Sequence, residues 1–325
     1  MLVAGGPPCQ GFSSAGQRNE RDVRNKLVDS YLEFVDLVKP EMIFFENVRG
    51  FTMPFTISEN EQKCYSDYIV EQLKKRKYCV DFRIINFSDF GVPQSRNRFI
   101  LFASKKGKPK DFFLFLYEGR EIFLKQRELE QYVSVEDAIS DLMCKNGSVV
   151  CPDSKGFFSG QYGVARSKYQ RYMRKNVKCD MPDSHRFAKH KKETVERFQR
   201  MIAEEECNKN LSKILWKKYG IKKNCISVLD KNAPSPTITT HPDDHIHYKE
   251  PRILTVREYA RLQSFPDNFE FRGKYTTGGK RRKVEVPRYT QVGNAIPPLF
   301  AEQVGIALKK YMQKYAIIND SLKDK

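Results

Sequence analysis

The sequence predicts an α/β protein in which a mostly parallel sheet with crossover helices is joined to a smaller, irregular module. Three observations carry that expectation. Short apolar runs alternate with helical stripes through the first third of the chain, the patterning loosens near Leu142 into glycine-aromatic loops and a Lys/Arg-rich stretch, and order returns at Arg252. The expected division is a first domain over 1–140, a distinct region over 141–250, a return to the first domain over 251–318 and a frayed tail over 319–325.

Leu2, Val3 and Ala4 read as the end of a buried strand, and a Gly/Pro/Ser loop follows to about Asn19. Leu27, Val28, Tyr31, Leu32, Val35 and Val38 recur at helical spacing; Lys39-Pro40 stops that helix because proline pushes the residue before it out of the α region. Met42 to Phe45 is a short apolar run closing on Glu46, which predicts a buried strand with a carboxylate at its C-terminal end. A helix is expected over Glu61 to Lys75, with strands at Cys79 to Ile85 and Arg98 to Ala103. In such sheets sites lie beyond the carboxyl ends of strands, where Cys9 and Glu46 both fall. Within the irregular module a charged helix is expected over Lys189 to Glu206. Thr255 with Glu258 three residues on has the capping-box form and opens a short helix that ends before Phe265-Pro266, and the last helix runs from about Leu299 to Tyr311.

Composition bounds the function. At 325 residues with 40% hydrophobic content the chain can bury a real core, and it contains no run of eighteen apolar residues. Met1 is followed by Leu2, Val3, Ala4, Gly5 and Gly6, with no basic n-region, so a secretory signal is not expected and the expected location is the cytoplasm. The formal charge of +18, from 58 Lys and Arg against 40 Asp and Glu, favours a polyanionic partner through phosphate neutralisation; a merely solvated basic surface is the alternative. None of the eight cysteines forms a Cys-x-x-Cys pair, which argues against a zinc ribbon and leaves most of them as small core hydrophobes.

One cysteine has an unusual setting, in Gly5-Gly6-Pro7-Pro8-Cys9-Gln10-Gly11-Phe12-Ser13. Two glycines let the backbone turn sharply and two prolines hold it stiff just before a cysteine at a strand end, which presents a thiol. A neighbouring helix or cation that lowers its pKa below about 8.5 would make it a nucleophile; a buried structural cysteine is the other reading. The run His241-Pro242-Asp243-Asp244-His245-Ile246-His247 offers metal-ligating residue types, but no third cluster completes a site and no metal is expected. Thr276-Thr277-Gly278-Gly279-Lys280-Arg281-Arg282-Lys283 suits a phosphate contact and lacks the spacing of a P-loop.

The nine-residue string resembles the nucleophile motif of the C5-cytosine DNA methyltransferases, of the bacterial restriction-modification type. The rest of the chain agrees in order. Glu46-Asn47-Val48 is similar to that family's second catalytic motif, Gln94-Ser95-Arg96-Asn97-Arg98 to its Gln-x-Arg-x-Arg motif, Arg257 to Pro266 to the block after the target-recognition region, and Gln291 to Pro298 to the closing block. The resemblance implies that Cys9 adds to C6 of cytosine, that a carboxyl at Glu46 serves N3, and that Arg98 serves O2 while Arg96 orients its neighbours. For Glu46 a helix cap or surface carboxylate remains the alternative, and for the two arginines a phosphate contact or an ion pair.

The resemblance further implies double-stranded DNA as partner, a flipped-out target base and S-adenosyl-L-methionine as donor, with Pro8, Leu27 and Asn294 as donor contacts. A mobile loop bearing Ser13, Gln17, Arg18 and Arg24, together with Thr237 and Thr239 at the end of the target-recognition region, is expected to face DNA. Family members carry a glycine-rich donor loop ahead of the nucleophile, which does not precede Cys9 here. The expected fold is therefore a partial Rossmann-like methyltransferase sheet lacking its first strands, plus a smaller irregular target-recognition domain. An internal start, a separate donor-binding subunit and a decayed gene product are the competing explanations, and the first is favoured. Two other functions stay open at this stage: a tRNA cytosine methyltransferase, disfavoured by the hundred or so residues between the Arg98 strand and the Arg257 block, and an inactive DNA-binding fragment.

Overall fold

A computed structural model describes residues 1–7, 26–58, 61–204, 206–221, 225–277, 281 and 284–317. The chain divides into two compact units: Met1–Asn86, Arg96–Glu121 and Gln303–Lys325 form the first, Phe87–Ser95 and Ile122–Glu302 the second.

In the first unit, β1 (Leu2–Gly5) leads to α1 (Lys26–Val38), β2 (Met42–Val48), the short pair β3 (Phe55–Ser58) and β4 (Glu61–Lys63), α2 (Tyr65–Lys75), β5 (Cys79–Asn86), β6 (Asn97–Ser104) and α3 (Pro109–Gln126). The sheet order is β1-β2-β6-β5. Both β2 and β6 read as continuous apolar runs because each is covered on two sides. Ile43, Phe45, Phe99 and Leu101 join Val28, Leu32 and Val35 of α1 and Ile69 and Leu73 of α2 in one core cluster. On the other face Phe102 packs on Phe112 of α3 at 4.5 Å and on Tyr311 at 4.9 Å.

The α/β class holds, but the strand directions differ from the expected mostly parallel sheet. β1 and β2 pair in parallel, with Gly5 opposite Phe45, whereas β2–β6 and β5–β6 are antiparallel. The reason is length: the link from Asn86 to Asn97 is shorter than the dozen or more residues that a parallel crossover requires. The helix expected from Glu61 begins instead at Tyr65, since the apolar stripe of Ile69 and Leu73 does not extend back into Glu61–Lys63, which pairs with β3.

The second unit holds α4 (Val135–Ile139), the antiparallel pair β7 (Ser148–Val150) and β8 (Phe158–Gly160), α5 (Lys168–Met173), α6 (Lys192–Glu204), α7 (Lys213–Tyr219), the two-residue parallel strands β9 (Ser227–Val228) and β10 (His245–Ile246), α8 (Val256–Leu262), α9 (Arg288–Asn294) and the start of α10 (Pro298–Lys314). The expected capping box is present: the Thr255 hydroxyl accepts from the Glu258 N–H, and the Glu258 carboxylate accepts from the Thr255 N–H at 2.7 Å. Phe198, Met201, Leu211, Tyr219, Ile226, Val228 and Ile246 form a small core within this unit. No described helix is long and apolar enough to cross a membrane.

Candidate active site

Glu46 lies on β2, and the register sets Val48 opposite Arg98 and Glu46 opposite Ile100, so Glu46 and Arg98 are diagonal neighbours on one face of the sheet. The Arg98 Nε donates to Glu46 Oε1 at 2.8 Å, with side chains only 10% and 16% exposed. The Arg98 Nη1 also donates to the Asn97 carbonyl at 2.9 Å. Arg96 is buried on the same strand approach, its backbone N–H donating to Asn86 Oδ1 at 3.0 Å. Burial, then the like charge of Arg98, pushes the Arg96 guanidinium down to about 9 against the pull of Glu46. Arginine stays protonated at neutral pH even so, and two guanidiniums face one carboxylate here. Among the described residues the cluster sets two cations beside one carboxylate in a buried setting, which suits an acceptor that gains electron density.

The end of β1 is fitted to the carboxylate. A Cβ added at Gly6 would lie 2.9 Å from Glu46 Oε2, and one added at Gly5 would lie 2.6 Å from the Tyr31 ring, so a side chain at either position would displace the carboxylate or the ring. Asn47 donates from Nδ2 to the Pro7 carbonyl at 3.3 Å. Consecutive residues of β2 thus border Gly6 and Pro7, part of the described start of the Gly5–Ser13 string. Pro8, Cys9, Ser13, Gln17, Arg18 and Arg24 lie outside the described residues. Leu27 is in the first turn of α1 and is 37% exposed.

The Gln94–Arg98 run is shared between the units: Gln94 and Ser95 belong to the second. There Gln94 forms a parallel bridge with Ser235, and the Ser95 N–H donates to the Ser235 carbonyl at 2.8 Å. Thr237 is exposed, and its hydroxyl donates to the Ser95 carbonyl at 3.0 Å. The Thr239 hydroxyl donates to the Asp244 carboxylate and accepts from the His241 N–H at 3.0 Å. Both hydroxyl protons are therefore committed inside the unit, and a phosphate contact from either would exchange its partner. Asn294 is exposed at the end of α9. The preceding Gly293 is required by packing, because a Cβ there would meet the Thr239 carbonyl oxygen at 2.5 Å.

Two histidines of the 241–247 run, His245 and His247, hydrogen-bond within the fold. The His247 Nδ1 accepts from the N–H groups of Lys249 and Glu250, and the His245 Nδ1 pairs with the Ser227 hydroxyl at 3.0 Å. Among the described residues no group of three or more His, Cys, Asp or Glu is placed to hold a metal ion. Of the Thr276–Lys283 loop only Thr276, Thr277 and Arg281 are described. Sequence reasoning named Gln94, Gln263 and Asn47 as members of motifs and assigned them no task. Nothing in a one-dimensional pattern shows that two buried amides meet, as Gln94 and Gln263 do at 2.8 Å.

The profile of the family described as C-5 cytosine-specific DNA methylase matches residues 1–310. The Type II methyltransferase M.DdeI of Desulfomicrobium norvegicum is 34% identical over 98% of this chain and 75% of its own length. The Type II methyltransferase M.XorII of Xanthomonas oryzae pv. oryzae is 30% identical over 96% of this chain and 69% of its own. A crystal structure described as that of a DNA modification methyltransferase encoded within an E. coli prophage matches with a TM-score of 0.60 at 22% identity, covering 96% of this chain and 79% of that one, which is a likeness of fold. The matched profile is that of DNA-methylating enzymes, which decides between the DNA and tRNA expectations, and nothing in these matches supports a separate donor-binding subunit.

Proposed function

Because the chain belongs to the C-5 cytosine-specific DNA methylase family, and is a DNA (cytosine-5)-methyltransferase, we propose that Cys9, Glu46, Arg96 and Arg98 carry its chemistry. The observation that supports this most directly is the fit of the β1 end around Glu46, whose carboxylate sits within contact of Gly6 and is held by Arg98 at 2.8 Å. Cys9 follows three residues later.

C5 of cytosine is a poor nucleophile until the C5–C6 double bond is opened. The Cys9 thiolate adds to C6, forming the S–C6 bond and moving electron density toward N3 and O2. The Glu46 carboxyl serves N3 with a proton or a hydrogen bond, and Arg98 donates to O2 while Arg96 adds positive charge, so the density that develops meets fixed donors in a site of low dielectric. The donor in this reading is S-adenosyl-L-methionine, which when bound supplies the electrophilic methyl that C5 accepts. Leu27 and Asn294 fit a donor contact in that each is exposed within its own unit, and Pro8 is the third residue assigned to it. Loss of the C5 proton to a base and departure of the Cys9 sulfur from C6 then restore the double bond and the thiolate.

The target carbon is out of reach inside a duplex, so the base is flipped at a cost of a few kcal/mol. Ser13, Gln17, Arg18 and Arg24 are assigned to the loop that closes on the DNA, Thr237 and Thr239 to its backbone, and residues 141–250 to target recognition. The net charge of +18 supports a duplex partner. The relatives' type II designation supports a role in protecting DNA within a restriction-modification system, in the cytoplasm.

DNA carrying 5-fluorocytosine tests the reading, because fluorine cannot leave C5 as a cation and the adduct stays covalent. Incubation with S-adenosylmethionine should give a denaturation-resistant protein–DNA band joined through Cys9, and Cys9→Ser should remove it. No band from a chain that binds the duplex would defeat the assignment of the nucleophile.

A further inference from the structure

Two glutamine side chains in the second unit, Gln94 and Gln263, are both fully buried, and every polar atom of their amides has a partner. The Ile238 N–H donates to Gln94 Oε1 at 3.0 Å. The Gln94 Nε2 donates to Gln263 Oε1 at 2.8 Å and to the Leu262 carbonyl at 3.3 Å. The Gln263 Nε2 donates in turn to the carbonyls of Val292 and Ala295, at 2.8 and 3.0 Å. These five bonds run in one sense. Flipping either amide would set an NH2 against the Ile238 N–H or an oxygen against two carbonyls, so the orientations follow from the partners. A polar network with every member satisfied is rigid, and one broken link leaves buried groups unpaired.

The relay spans two segments that are far apart in sequence. At one end is Thr237–Thr239, at the other the turn Val292–Ala295, and the two are in direct contact because Gly293 leaves no room for a Cβ under Thr239. We propose that Gln94 and Gln263 are positioning residues that hold the Thr237–Thr239 segment in register against the Gly293–Asn294 turn, and thereby set the affinity for the DNA backbone. This rests on the reading that Thr237–Thr239 faces DNA. A hydrophobic pair would fill the same volume without fixing a register; the amides specify which N–H and which carbonyls must lie opposite each other.

The isosteric variant Gln94→Glu gives a test that a loss of packing cannot imitate. Ionised, it sets a carboxylate oxygen against Gln263 Oε1 and the Leu262 carbonyl; protonated, it restores a donor. A buried carboxyl without a cation has a raised pKa. Of the charged side chains on the surrounding elements, Glu258 pairs with Arg252, Arg257 with Asp183, Arg261 with Asp141 and Asp267, Arg288 with Asp153, Asp244 with Thr239 and His245 with Ser227, while Arg96 and Arg98, further along the chain from Gln94, interact with Glu46. The measurement is the Kd for a fluorescently labelled DNA duplex of mixed sequence, taken across pH for variant and wild type, with circular dichroism confirming that each stays folded. The ratio of the two Kd values should be near one at about pH 6 and rise about tenfold or more by about pH 9, as the carboxyl ionises. Gln263→Asn keeps an amide but is too short to reach both ends, and should weaken binding severalfold at every pH. A flat ratio in folded Gln94→Glu, or wild-type affinity in Gln263→Asn, overturns the proposal. A folded wild type that fails to bind the duplex instead overturns the DNA reading on which it rests.

Discussion

The same residue types are used in opposite ways in the two units. Around α8, Arg252 forms a two-pronged pair with Glu258 at 2.7 and 2.8 Å. Arg261 pairs likewise with Asp267 at 2.6 Å on both prongs and reaches Asp141 at 3.2 Å. Burial pushes the Glu258 carboxyl up, but Arg252 outweighs it and holds the group at about 2. Burial likewise disfavours the Arg261 charge, and Asp267 with Asp141 more than offsets that, so its pKa is raised. At Glu46 the balance is reversed: burial and Arg98 lower Arg96, and Arg98 itself is lowered by burial despite its partner. Fully compensated charges define a scaffold that has no use for another ion. Where burial instead outweighs the ionic partners, as at Arg96 and Arg98, a group that arrives with, or develops, negative charge would be stabilised.

The comparison breaks most readily at Glu46. Glu46→Gln keeps size and shape while removing the carboxyl that serves N3, and it should lower the single-turnover rate of methyl transfer by about 10²–10⁴-fold with DNA affinity unchanged or tighter, because the cluster becomes more positive. A fall of less than about tenfold would place the chemistry elsewhere. The complementary change is Arg261→Met, which strips a buried cation from two carboxylates. It should cost about 3–5 kcal/mol in denaturant unfolding while leaving the rate per folded molecule intact. A variant of normal stability but impaired turnover would show that the α8 cluster is not simply scaffold.

What could be seen in the sequence followed physical regularity. The stripe of Val28, Leu32 and Val35 and the capping box at Thr255 and Glu258 were legible because a helical period and a cap are local signals. α3 was not anticipated: Phe112 to Leu116 are five consecutive apolar residues, which hides the helical period, yet Phe112, Phe113 and Leu116 are buried while Leu114 is 49% exposed. Glu46 and Arg98 were legible as members of motifs, and their ion pair was not, because it depends on an antiparallel register that apolar patterning leaves undetermined. Arg257 and Arg261, fully buried in a basic chain, could equally have been taken for phosphate ligands. Only the positions of Asp183, Asp141 and Asp267 show where their charges go.

The smallest effect concerns how the compensated unit responds to acid. The His185 Nε2 must donate to the Leu142 carbonyl at 2.9 Å, which leaves Nδ1 to accept from the Thr255 hydroxyl at 2.8 Å, and burial pushes this imidazole down to about 4. His247 is pushed lower still, to about 3, by burial and then Arg252. Since the folded pKa lies below the unfolded value near 6.5, the unfolded chain takes up the proton first, and stability rises with pH across the interval between them. The contribution is complete above about pH 6.5 and is lost as pH falls toward 4, amounting to roughly 3 kcal/mol for His185 alone, since each pKa unit is worth about 1.4 kcal/mol. Glu258 then adds a second loss as pH falls from its unfolded range toward 2. Urea unfolding followed from pH 7.5 to 4.5 should show this slope. His185→Gln, whose amide can still donate to Leu142 and accept from Thr255, should flatten it whatever its effect on stability at pH 7.5, and an unchanged slope would remove His185 from the account.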